Sequence, residues 1–266
     1  MLYFISTPIG NLKDISYRAV ETLKEVDVIL CEDTRHSLKL LDFYGIKKQL
    51  ISYHKFNEKE RIDEIISMLK NGKTVAVISD AGTPVISDPG NVLSKALKEE
   101  NLEFTTIPGA TAFVPALILS GLDAKRFTFI GFLPEKAKDK ELLLKPFLNA
   151  KETLIFYSAP HDVNKDLRSL FEFLGDREVS AVKEITKIHE TVYKGSLSSI
   201  EIDNPKGEFV IIVAGAKESK QEFLLSEKEH IDLYLSRGYS KKDAIKEVAK
   251  ERGVNKNALY KYTIED

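Results

Sequence analysis

The chain has little of what the commonest functional classes require. It holds one cysteine, Cys31, in 266 residues, which excludes an intramolecular disulfide and fits a reducing compartment. Its five histidines (His36, His54, His161, His189 and His230) form no His-Glu-x-x-His, and there is no Cys-x-x-Cys, so no metal site is expected. His189-Glu190 looks like the start of a zinc motif, but Tyr193 stands where the second ligand would be. No Gly-x-Gly-x-x-Gly follows Phe4 or Ile78. The fragment Gly72-Lys73-Thr74 lacks the earlier glycine of a phosphate loop, position 67 being Ser, and precedes a strand pattern rather than following one. A nicotinamide or ATP enzyme of the usual kind is disfavoured. The mostly apolar stretch 111–122 is far short of the ~20 residues of a membrane span. Residues 1–5 are too short, and lack the basic flank, for a signal peptide. Nor is there an excess of one charge: 39 Lys and Arg face 41 Asp and Glu, a net charge of −2, so any nucleic-acid surface has to be local. The expectation is a soluble cytoplasmic protein without a membrane partner.

What is present is a pair of loops rich in Gly, Pro and short polar residues, 6–12 (Ser-Thr-Pro-Ile-Gly-Asn-Leu) and 79–90 (Ser-Asp-Ala-Gly-Thr-Pro-Val-Ile-Ser-Asp-Pro-Gly), each directly after an apolar strand pattern. In open α/β sheets small ligands bind at such strand ends, where Gly lets backbone approach the ligand and Pro fixes φ. Strand-like runs at 2–6, 26–31, 75–79 and 104–107 alternate with helical patterns at 17–25 and 60–71, the mark of a parallel sheet covered by helices. After Pro108-Gly109-Ala110-Thr111-Ala112, a short apolar helix runs to Gly121. A second set of strands follows at 127–131, 154–157, 179–185, 190–194 and 209–213. The fold class is therefore α/β, with domains expected at 1–112 and 113–218 and a helical tail at 219–266. The stretch 134–146, with its Lys and Pro residues, reads as a mobile loop.

In the tail, 226–237 is helical in pattern, Ser240 to Asp243 opens a second helix that Gly253 ends, and Asn255 caps a last short one. Residues 237–262 carry eight basic and three acidic side chains, a local +5. They read either as a solvated helical face or, together with the Lys-rich stretch 136–145, as a phosphate-contacting surface.

Thr7-Pro8-Ile9-Gly10-Asn11-Leu12, Glu32-Asp33-Thr34-Arg35, Ser52-Tyr53-His54, Asn57-Glu58, the loop 79–90, Pro108-Gly109 and Gly131-Phe132-Leu133-Pro134 stand in a familiar order and spacing. With 183–187 and Gly207-Glu208-Phe209 they resemble the ribosomal RNA small-subunit methyltransferase I family, of the tetrapyrrole-methylase fold, over almost the whole chain. The resemblance implies two α/β domains holding S-adenosylmethionine (SAM) in the cleft between them. It also implies methyl transfer to a cytidine ribose 2′-hydroxyl in the decoding region of small-subunit (16S) ribosomal RNA, as RNA or assembled 30S subunit, by a homodimer. The chain departs from the family where Pro-Gly-Pro-Ser becomes Pro108-Gly109-Ala110-Thr111, and where Tyr-Glu-Ser-Pro-His-Arg becomes Tyr157-Ser158-Ala159-Pro160-His161-Asp162. The second change removes a carboxylate and a guanidinium.

From loops and resemblance together, SAM is expected at Pro8, Gly10, Asp80, Ala81, Gly82, Thr83, Pro108, Thr111, Ala112, Tyr157, Val182, Lys183 and Glu184. The resemblance places Glu32, Asp33, Arg35, His54 and Glu58 near the cleft. A carboxylate among them can orient or deprotonate the hydroxyl. Competing with this, Asp33 or Thr34 caps a helix at 37–41 beside an internal salt bridge, and His54 is simply packed. Two other functions share the features: carbon methylation of a corrin or porphyrin, and non-catalytic RNA binding in ribosome assembly.

Overall fold

A computed structural model describes residues 1–217, 225–252 and 254–263. Two compact units divide the chain at residues 216 and 217, so both α/β halves belong to one body. The first half builds a five-stranded, all-parallel sheet from β1 (Leu2–Ile5), β2 (Val28–Cys31), β3 (Gln49–Ser52), β4 (Val75–Ile78) and β5 (Phe104–Ile107), in the order β3-β2-β4-β1-β5. The central strands Val-Ile-Leu-Cys and Val-Ala-Val-Ile are buried at every position, as unbroken apolar runs in a sheet covered on both faces must be. The edge strand β5, Phe-Thr-Thr-Ile, is mostly exposed.

Helices α1 (Tyr17–Glu25), α2 (Thr34–Phe43), α3 (Glu58–Lys70) and α4 (Asn91–Glu99) make the crossovers. One face of the sheet packs Leu2, Leu30 and Val77 with Ile65, Leu69, Leu93 and Leu97; the other packs Ile5, Ile29 and Ile78 with Ala19, Leu23 and Leu41. From β1 the chain moves outward to β2 and β3, then returns to β4 and passes β1 to reach β5. The crossovers thus change direction at the centre of the sheet, the switch point where open α/β sheets form a crevice.

The second half is a mixed sheet of β6 (Phe127–Phe132), β7 (Thr153–Ser158), β8 (Glu178–Lys183), β9 (Thr191–Ser196) and β10 (Phe209–Val213), ordered β6-β7-β10-β8-β9; only β6 and β7 pair in parallel. Helix α5 (Phe113–Ser120) lays Ala116 and Leu117 against Ile155, Val182 and Val210, and Gly121 ends it in the left-handed conformation. Helix α7 (Val163–Leu174) covers the opposite face with Leu167, Leu170 and Leu174.

The stretch expected to be a mobile loop is instead helix α6 (Ala137–Leu144). Its Lys140 is 3% exposed and donates to Asp166 Oδ1 at 3.0 Å and Ser169 Oγ at 3.2 Å. The partners lie on α7, 26 and 29 residues away, beyond the reach of local reading. A strand expected at 190–194 forms as Thr191–Ser196.

The second unit, described by itself, contains α8 (Glu227–Ser236), α9 (Lys241–Arg252) and α10 (Lys256–Leu259) around Ile231, Ala244, Ile245, Val248 and Leu259. Ser226 and Glu229 complete a capping box, and Asn255 caps α10. The expected terminator Gly253 lies outside the described residues. Lys242, Lys246 and Lys250, spaced four apart, form one exposed row along α9.

Candidate active site

The loops after β1, β2, β4 and β5 meet the ends of β6, β7 and β8 and the start of β10 in a cleft of about 380 Å³. That volume suits a small-molecule ligand. The loop after β1 bridges to the loop after β4: Thr7 N–H donates to Gly82 O at 2.8 Å, and Gly82 N–H returns the bond at 3.1 Å. Gly82 is therefore needed for its φ of +87°, and its amide is already committed. On the far side Gly10 lies under Lys187, where a Cβ would collide with that side chain, and Asn11 N–H bonds Thr186 Oγ1 at 3.1 Å. The two halves thus close on each other through glycine-permitted contact. Val85, Ser87, Glu184 and Thr186 all have positive φ, and all sit in the two loops that face the cleft. For a β-branched residue such as Val85 that is strain, of the sort that clusters at ligand sites.

Of the residues expected to hold a cofactor, Asp80, Ala81, Gly82, Thr83, Thr111, Ala112, Tyr157 and Glu184 line the cleft. The others stand behind or beside the lining. Pro8 is buried between Thr7 and Ile9, Pro108 is exposed on the approach to Gly109, and Lys183 is half-buried at the end of β8. Val182 is wholly buried in the core under α5.

Among the expected reactive residues, Glu32 alone lines the cleft. Burial pushes its carboxyl up to about 7, with the charges of Asp88 and then Asp80 adding to the effect. Asp88, also lining the cleft, is raised to about 6 by burial and by Asp80. Asp33 is engaged elsewhere. As N-cap of α2 it accepts from Arg35 N–H at 2.8 Å, and its other oxygen pairs with the Arg35 guanidinium at 3.1 Å. Those bonds hold it down at about 2. Arg35 is tied up in the same contact. Glu58 is buried and accepts from Tyr53 O–H at 2.8 Å and Gly90 N–H at 2.7 Å, pinning the entry of α4. His54 lies outside the lining, its Nδ1 buried without a hydrogen-bond partner among the described residues.

The lining also takes in residues outside the expected site set, among them Ile86, Asp88, Phe132, Ser158, Lys187, Glu208 and Val210. Phe132 meets Tyr157 edge to face at 5.5 Å. Ser158, at a position where the chain departs from the resembled pattern, donates to Asp166 Oδ2 at 2.7 Å and so ties the cleft wall to the buried Lys140–Asp166 pair. Burial works against ionisation of Glu184, yet its bonds from Lys187 Nζ at 2.9 Å and Glu208 N–H at 3.1 Å, with the charges of Lys187 and Lys183, together outweigh this and keep the carboxyl below its usual range.

Residues 1–201 match the family of Tetrapyrrole (Corrin/Porphyrin) Methylases. The chain belongs to that family. Within it, a Bacillus subtilis protein named Ribosomal RNA small subunit methyltransferase I is 40% identical over 98% of this chain and 92% of its own length. A protein of the same name from Thermotoga maritima is 43% identical over 80% of this chain and 98% of its own length, so a fifth of this methylase has no counterpart there. Among solved structures, the methyltransferase CobJ superposes with a TM-score of 0.64 at 18% identity, over 81% of this chain and 94% of that one. Diphthine synthase gives 0.63 at 16% identity, over 80% and 90%. These two establish the fold of the methylase.

Proposed function

We propose that this methylase is a SAM-dependent methyltransferase acting on the ribose 2′-hydroxyl of a cytidine in the decoding region of small-subunit ribosomal RNA. The observation that carries the reading is the 40% identity, over nearly the full length of both chains, to enzymes named ribosomal RNA small subunit methyltransferase I. The structures of corrin and porphyrin methylases resemble the chain at 18–21% identity and support the fold alone, so a tetrapyrrole substrate is the weaker reading. A non-catalytic assembly factor would have no use for a raised carboxyl facing the cleft.

The cleft fits the cofactor that the family implies. It is large enough, has apolar walls in Ile9, Phe132, Ile185 and Val210, and carries Asp80 and Asp88 as complements to a cationic ligand. We assign SAM to the lining loops 80–83, 86–88 and 111–112 on one side and to Phe132, Tyr157 and 184–187 on the other. When bound there, it supplies an electrophilic methyl group on a sulfonium. The protein's contribution is to hold the acceptor hydroxyl in line and to take its proton, since fixed orientation alone reaches effective molarities of ~10⁵ M or more. Glu32 is the base: a carboxyl that titrates near 7 binds a proton far better than an ordinary one, and the apolar wall opposite limits water. Asp80 and Asp88 raise its basicity by their charge.

Phosphate contact falls to the exposed row Lys242, Lys246 and Lys250 with Lys241, and not to Lys140, which is buried in its ion pair. A second copy of the chain and a cytoplasmic setting belong to the same reading; among the described residues no helix is long and apolar enough to cross a membrane. Incubation with methyl-labelled SAM and, in turn, small-subunit RNA, assembled subunits and a corrin or porphyrin precursor tests the assignment. Label in RNA or subunits is expected. Label in the tetrapyrrole alone, or in none, contradicts it.

A further inference from the structure

Phe56 is 90% exposed at the tip of the turn that follows β3, an unusual setting for a phenyl ring. The turn itself is tightly held. Asn57 accepts from His54 N–H at 2.8 Å and donates to Ser52 O at 3.0 Å, while the amides of Asn57 and Glu58 both bond His54 O at 3.0 Å. The ring rests edge-on to His54, with centroids 6.1 Å apart, and keeps its faces to solvent. Tyr53 N–H donates to Cys31 O at 2.8 Å, so the turn starts alongside the residue that precedes Glu32. Charge at this rim contrasts with the cleft. Lys55 and Lys59 are exposed, and among the described residues no carboxylate pairs with either; Arg35, in the first turn of α2, has a side chain 87% exposed and paired with Asp33. The cleft itself carries the carboxylates Glu32, Asp80 and Asp88.

A rigid aromatic face flanked by free ammonium groups suits a polyanion whose bases are unstacked, because every base offers a π-face and every nucleotide a phosphate. A duplex keeps its bases inside, and an acidic peptide gains nothing from the ring. Resting on the RNA reading above, we propose that the turn 53–57 docks an unpaired RNA strand next to the target nucleotide, with one base stacked on Phe56 and Lys55 and Lys59 facing its phosphates. Ordering of the platform costs little on binding, since Asn57 has already fixed the backbone.

The chain contains no tryptophan, so Phe56→Trp introduces a single indole. Its emission is followed during titration with a single-stranded RNA oligonucleotide and, separately, with the same sequence as a duplex. Labelled-RNA anisotropy is measured in parallel for the unaltered protein, Phe56→Ala and Phe56→Tyr. Saturable quenching by the single strand and not by the duplex is expected, with about tenfold weaker single-strand binding for Phe56→Ala, retention by Phe56→Tyr, and unchanged SAM affinity by calorimetry. Lys55→Gln with Lys59→Gln flattens the salt dependence of binding. Unquenched emission, or equal RNA affinity for Phe56→Ala, overturns the proposal while leaving RNA as substrate intact. A loss of self-association in Phe56→Ala by light scattering also overturns it, assigning the ring to contact between copies. Absence of RNA binding by the unaltered protein removes the substrate reading and this docking site together.

Discussion

The first half of the chain brings three carboxylates to the cleft, Glu32, Asp80 and Asp88, whereas the second brings the apolar groups of Phe132, Tyr157, Ile185 and Val210 together with two carboxylates, Glu184 and Glu208, that Lys187 bonds. Topology accounts for part of the contrast. In an all-parallel sheet every strand ends on the same edge, so the polar loops after β1, β2, β4 and β5 collect there. In the mixed sheet β10 runs against β7 and β8, so the start of a core strand, Phe209-Val210, also reaches the cleft and brings apolar side chains. The two walls act together. Burial of the acids between them is the largest cause of the raised carboxyls of Glu32 and Asp88.

If proton handling belongs to the first wall, Glu32→Gln lowers turnover by ~10²-fold or more while calorimetric SAM affinity stays nearly unchanged. Asp33→Asn, next in the chain but committed to its cap and to Arg35, leaves turnover close to the original. Equal losses in the two variants would erase the distinction between them.

The second wall is braced by the Lys140–Asp166 pair, whose side chains are 4% and 8% exposed. Lys140→Ala strands a buried carboxylate and is expected to cost about 3–5 kcal/mol in denaturant unfolding, whereas joint replacement of both residues by apolar ones of similar size recovers most of it. A loss below ~1 kcal/mol would place Lys140 among exposed lysines.

Phe132→Ala weakens SAM binding about tenfold, the order expected for one aromatic contact, with turnover at saturating SAM held. A fall in turnover with unchanged affinity would move Phe132 to the acceptor side.

The smallest effect is a pH dependence of stability. A carboxyl raised from 4.5 to about 7 on folding binds protons more tightly in the folded state, so its contribution is present at low pH and is lost as pH rises from about 4.5 through 7. Glu32→Gln flattens that slope in melting curves of the ligand-free protein; a slope unchanged by the substitution would contradict the raised value.

Much of this was legible in the residues because it was local. Continuous apolar runs marked β2 and β4, the loops 6–12 and 79–90 marked the strand ends that form the cleft, and Asp33 was one reading of a helix cap. What escaped depends on residues far apart in the chain. Lys140 fell in a stretch that reads as a mobile loop because its partner Asp166 is 26 residues away. Val182 looked like part of the cleft because alternation along β8 does not tell which face α5 covers. Asp88 stood in the polar loop 79–90, but its raised carboxyl needs the fold to bring Asp80 beside it and to exclude water.

Mass-spectrometric mapping of ribose methylation in small-subunit ribosomal RNA, produced by the intact protein and by Glu32→Gln, tests the central assignment most directly. The account predicts one 2′-O-methylated cytidine with the intact protein, and its absence or near absence with Glu32→Gln, although that variant still binds SAM. The same mark at the same level with both proteins, or no ribose mark with either, would contradict it.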